Sequence, residues 1–93
     1  MFNKISIIGC GLIGSSILRA ARKKKASKLI YVYDKSKDVV SFLKDKKLCE
    51  NATNDITSAV KDAELVIIAS PLGSYKEIFL LIKDHLKKGT IIT

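Results

Sequence analysis

Apolar and polar positions switch repeatedly between two periods along this chain. Ile5–Ile8, Leu29–Tyr33 and Leu65–Ala69 are short runs rich in β-branched and aromatic residues, and each reads as a strand. Between them the apolar residues fall at helical spacing. Ile13, Ile17, Leu18 and Ala21 mark one face of a helix from Leu12 to about Lys24. Val39, Val40 and Leu43 do the same for a helix from Lys37 to about Lys46, with Ser36 as its N-cap. Asp55 caps a brief helix through Val60 and Lys61. Ser74 and Glu77 have capping-box spacing and open another helix, with Tyr75, Ile78, Phe79, Ile82 and Leu86 on one face and Lys87, Lys88 and Gly89 as its stop. Leu48 to Thr53 carry a poor signal for a third strand, and Thr90 to Thr93 begin a fifth. Such strand–helix alternation predicts an α/β architecture, a parallel sheet with helices on both faces.

The totals narrow the class. Ninety-three residues, 47% hydrophobic and 28% charged, describe one small globular domain with a real core. The longest apolar runs fall far short of the ~20 residues that cross a bilayer, and the N-terminus enters a strand directly rather than a signal peptide. A cytoplasmic protein with no membrane partner is the expectation. Two cysteines, Cys10 and Cys49, make no disulfide framework and have no metal-ligand neighbours, so no metal is expected. Cys10 reads as a small apolar residue filling a turn.

The formal charge of +8 is the compositional oddity. Arg19, Arg22, Lys23, Lys24, Lys25 and Lys28 cluster at the end of the first helix, and no aromatic residue lies among them in sequence. Nucleic-acid binding would want stacking side chains beside such a patch. Cations also complement a helix C-terminus, so the cluster reads as a solvated helix end, with no nucleic-acid partner.

The candidate chemistry lies where the first strand meets the first helix. Gly9, Gly11 and Gly14 follow the strand at G-x-G-x-x-G spacing. The first glycine permits a tight turn, the second lets a diphosphate approach the backbone, and the third lets helix pack on strand. The amides and dipole of the helix N-terminus then attract phosphate, so Gly9, Gly11, Leu12, Ile13 and Gly14 are the candidate cofactor cradle. The second strand ends in Asp34, about twenty positions beyond Gly14, where an acidic residue meets the adenosine ribose. The whole predicts a Rossmann-type doubly wound parallel sheet of order 3-2-1-4-5, with its switch point beside the glycine turn. Asp34 favours NAD over NADP, because a carboxylate repels a 2′-phosphate, although Lys35 and Lys37 stand ready for that phosphate if Asp34 turns away. Asp34 also reads as a turn residue before the next helix.

GLIGSS at Gly11–Ser16, the aspartate after the second strand, and ASPLGSY followed by LKKGTIIT resemble the N-terminal portion of prephenate dehydrogenases, including cyclohexadienyl and arogenate dehydrogenases of tyrosine biosynthesis. The resemblance covers the whole chain. It implies oxidative decarboxylation of prephenate or arogenate with hydride passed to a nicotinamide, with Ser70 and Pro71 lining the approach to the nicotinamide ribose. It also implies that the catalytic histidine, the substrate-binding arginine and a helical dimerisation domain lie beyond the fifth strand, so that residues 1–93 are an incomplete dinucleotide-binding domain, catalytically inactive alone and homodimeric only in the full-length enzyme. His85, between Asp84 and Leu86, reads as a half-exposed structural histidine on a helix rather than a catalyst. Hydroxyacid dehydrogenases, pyrroline-carboxylate reductases and non-catalytic nucleotide-sensing Rossmann modules share a glycine turn of this kind and are the alternatives. A fifth strand at the sheet edge, with apolar faces uncovered, leads us to expect a chain that is marginal or prone to associate.

Overall fold

A computed structural model describes residues 2–9, 11–69 and 75–93, with the side chains of Leu12 and Ile13 also left undescribed. The chain runs β1 (Phe2–Ile8), α1 (Leu12–Lys23), β2 (Ser27–Tyr33), α2 (Lys37–Asp45), β3 (Asn51–Thr53), α3 (Ile56–Val60), β4 (Leu65–Ile68), α4 (Tyr75–Ile82), a 3₁₀ turn (Lys83–His85) and β5 (Ile91–Ile92). The strands form one parallel sheet of order β3-β2-β1-β4-β5, as the alternation predicts. It is a Rossmann-type α/β fold.

Strand periodicity of two divides the core. Ile5 and Ile7 of β1 and Ile30 and Val32 of β2 point to one face, where Leu18 of α1 and Val40 and Leu43 of α2 cover them. Ile8 points to the other, with Ala59 and Val60 of α3, Val66 of β4 and Ile82 of α4. The first two helices therefore lie on one face and the last two on the other. The chain changes sides between β1 and β4, which are hydrogen-bonded neighbours.

Ser36 and Asp55 cap α2 and α3 as their positions predict: Ser36 Oγ accepts from Val39 N–H at 3.4 Å and an Asp55 carboxylate oxygen from Thr57 N–H at 3.2 Å. Ser74, the other half of the expected capping box, lies outside the described residues. The last helix departs from expectation. It ends at Ile82 and tightens into the 3₁₀ turn, rather than running on to Lys87. Ile78, Ile82 and Leu86 face the core, but Tyr75 and Phe79 are exposed, together with Leu80 and Leu81. This helix is apolar on more sides than the sheet beneath it can cover.

β1 and β2 are longer than their apolar runs, because parallel pairing recruits polar residues from Phe2 and Ser27 onward. One of these, Lys4, is only 8% exposed. Its ammonium donates to the carbonyls of Lys61 at 2.5 Å and Ser58 at 3.5 Å, and sits 3.8 Å above the centre of the Tyr31 ring. It thus supplies donors to the C-terminal carbonyls of α3, which have no helical partner. Ser6, also buried, donates its hydroxyl to the Ala59 carbonyl on the same helix. Replacing Lys4 by methionine leaves those carbonyls short of a donor and is expected to cost about 1–3 kcal/mol in a urea melt. Burial lowers the Lys4 pKa below its ordinary 10.5, with Asp62 opposing the shift and Lys61 adding to it. The unfolded chain therefore binds this proton more tightly. The stability of the native chain relative to Lys4→Met is flat below the lowered pKa and rises as the pH climbs from there towards 10.5.

Candidate dinucleotide-binding site

The C-terminal ends of β1, β2, β3 and β4 meet along one edge of the sheet. Gly9 N–H donates to the Tyr33 carbonyl at 2.7 Å, Asp34 N–H to Thr53 at 3.1 Å, and Ala69 N–H to Ile8 at 2.8 Å. These bonds place the glycine turn, the acidic residue after β2 and the exit of β4 side by side. In an open parallel sheet, ligands bind in this crevice at the point where strand order reverses.

Each glycine has a distinct reason to lack a side chain. Gly9 adopts φ +93°, a left-handed conformation that opens the turn out of β1. A Cβ on Gly14 would collide with the carbonyl oxygen of Gly9 and lie 3.6 Å from the methyl of Ala69, so α1 rests directly on the turn. Gly11 has no such neighbour among the described residues: a Cβ there would meet none of their atoms within 4 Å. Packing among the described residues does not demand glycine at Gly11, whereas a group lying against the backbone from outside would. Gly11 is also the N-cap of α1, without a side chain to cap it and with no acidic residue in the first turn. The amides of Leu12, Ile13 and Gly14 open the helix at this crevice, where an anion suits them.

Asp34 is partly buried, and its Oδ1 accepts the Ser36 N–H at 2.9 Å. The turn role read from the sequence is therefore real, and it holds the carboxylate beside the glycine turn. Lys35 and Lys37 are exposed immediately after it. Ser70, Pro71 and Cys10 lie outside the described residues.

His85 is exposed and lies on the 3₁₀ turn rather than on the helix. It falls at the opposite end of the sheet from the glycines, near the contact of Lys87 with Glu64 (3.9 Å) and of Thr90 Oγ1 with the Ala63 carbonyl (2.8 Å). The described residues contain no metal-binding cluster and no helix long and apolar enough to cross a membrane. The Cys49 thiol donates to the Asn51 carbonyl at 3.4 Å. Sequence reasoning overlooked Lys4 and Ser6; a lysine and a serine alternating with isoleucines in a central strand was the available signal.

The fold and the glycine turn together define a Rossmann-type nucleotide-binding class. The family described as "NADP oxidoreductase coenzyme F420-dependent" matches residues 4–93, and the chain belongs to it. It is 37% identical over 92 residues to the cyclohexadienyl dehydrogenase of Zymomonas mobilis, a match covering 99% of this chain and 31% of that protein. Among solved structures it is similar to prephenate dehydrogenase of A. aeolicus in complex with hydroxyphenyl propionate and NAD+ (TM-score 0.88, 21% identity, 99% of this chain and 32% of that one). It is also similar to Synechocystis arogenate dehydrogenase (TM-score 0.83, 19% identity, 96% and 31%). The chain thus spans about a third of the length of these relatives.

Proposed function

We propose that residues 1–93 are the N-terminal dinucleotide-binding domain of a prephenate- or arogenate-type dehydrogenase. The observation that carries this reading is Gly11, a side-chain-free position that no described residue crowds, at an uncapped helix start beside a carboxylate at the end of the neighbouring strand. Gly9, Gly11, Leu12, Ile13 and Gly14 hold the diphosphate, Asp34 accepts the ribose hydroxyls with Lys35 beside it, and Ser70 and Pro71 flank the nicotinamide ribose. NAD, once bound, supplies the hydride acceptor for oxidative decarboxylation of prephenate. The cofactor named with the A. aeolicus structure and the identity to the Zymomonas mobilis enzyme support this reading.

The substrate is a small molecule met together with a catalytic histidine from a further helical domain, through which the whole enzyme dimerises. His85 stands too far from the crevice to serve. The 93 residues alone are therefore expected to bind NADH yet form none from NAD and prephenate. Calorimetric titration of the folded chain with NADH, alongside an absorbance assay at saturating prephenate, tests both halves. A folded chain that takes up no NADH overturns the cofactor assignment, and measurable turnover overturns the need for a second domain.

A further inference from the structure

We propose that the cleft between α1 and α2 is a docking groove for an acidic amphipathic helix of a partner protein. The cleft has a volume of about 370 Å³ and runs between these helices from Ser15, next to Gly14, and Asp38 at one end to Arg22 and Leu48 at the other. Leu18 and Leu43 form its buried floor, and Val39 lines it. Phe42 stands at its rim with 54% of its surface exposed. A phenylalanine left standing over an apolar floor is the kind of anchor that interfaces use.

The opposite rim supplies the charge. Arg19 and Arg22 lie one turn apart on α1, line the same cleft, and form no ion pair with the described residues. The exposed lysines Lys23, Lys24 and Lys25 beyond them, and Lys46 and Lys47 after α2, do not line the cleft. Asp38 is the acidic lining residue, near the start of α2. A helix lying in the groove would seat apolar residues at i, i+3 or i+4, and i+7 on the floor and against Phe42. Its flanking carboxylates, one turn apart, would match the spacing of the two guanidiniums. A second copy of this chain suits the groove poorly. Each copy carries +8, and self-association here would bring these basic rims together. Placing Phe42 between the two helices also explains part of the basic cluster, which in sequence stood apart from any aromatic residue.

The test uses the intact chain with two labelled amphipathic peptides. They share a Leu/Phe face and differ only in carrying glutamate or lysine on the flanks. Fluorescence anisotropy is expected to show the glutamate peptide binding and the lysine peptide not. Arg19→Glu/Arg22→Glu and, separately, Phe42→Ser are expected to weaken binding by about tenfold or more. The charge-matched Lys24→Glu/Lys25→Glu is expected to change it by less than about threefold. All these positions are exposed, and circular dichroism checks that each variant folds. The proposal fails if the two double charge reversals weaken binding equally, since the attraction is then general charge. It also fails if Phe42→Ser leaves binding unchanged, or if sedimentation shows the chain dimerising through this face.

Discussion

Gly14→Ala is expected to lower the melting temperature by about 10 °C or more and to abolish NADH binding, although alanine is ordinarily the better helix former. The helical gain is about 0.5–1 kcal/mol. Against it stands a methyl placed on the carbonyl oxygen of Gly9, a backbone atom that no rotamer change can move. Overpacking of this kind costs about 1–3 kcal/mol, occasionally more. Each kcal/mol moves the midpoint of a domain this size by about 4–8 °C, so a net loss near 2 kcal/mol gives the stated shift. Relief requires α1 to lift from the turn, which carries the Leu12 and Ile13 amides away from the crevice. Gly11→Ala is the matched comparison: its methyl meets none of the described residues within 4 Å, so the melting temperature is expected to hold while NADH binding falls. Thermal melts with NADH titrations on both variants decide the matter. Equal destabilisation by the two would show that the third glycine is not the packing contact described above.

Asp34→Ser is expected to change the ratio of NADH to NADPH affinity by about a hundredfold. Loss of charge-assisted hydrogen bonds to the ribose hydroxyls weakens NADH by about tenfold or more. Removing a carboxylate from the place where the 2′-phosphate would sit relieves a repulsion worth several kcal/mol, which strengthens NADPH by at least about tenfold. Lys35 and Lys37 are exposed on the same loop and supply the counter-charge. Serine retains an oxygen able to accept the Ser36 N–H, so the turn survives. Competitive titration of the variant with both cofactors gives the ratio directly, and an unchanged ratio would remove Asp34 from the site.

Much of this arrangement was legible from residue order. Four of the five strands and the caps Ser36 and Asp55 follow from periodicity and local hydrogen-bonding chemistry, which act over a few residues; the strand order follows from the glycine turn in its βαβ setting, and the three-residue β3 was too short to leave more than a poor signal. The glycine turn was legible for the same reason, since Gly9 answers its own positive φ and Gly14 a backbone atom five residues away. What escaped depends on contacts made across the fold. Lys4 reads as one lysine among many until α3, more than fifty residues later, brings two carbonyls to it. The exposure of Tyr75 and Phe79 could not be read from a helix in which nearly every position is apolar, because periodicity loses its contrast there. The early end of α4 was hidden by a helix stop at Gly89, whose φ of +88° instead serves the turn into β5.

Ala69 leaves β4 with its amide bonded to the last residue of β1 and its side chain close against Gly14. The nucleotide turn is written within the first fifteen residues, yet one of its walls arrives only after some fifty more have been made. Parallel pairing of β1 with β2 does not by itself finish it. The crevice is therefore closed only once β4 has paired with β1, so its geometry depends on both halves of the sheet.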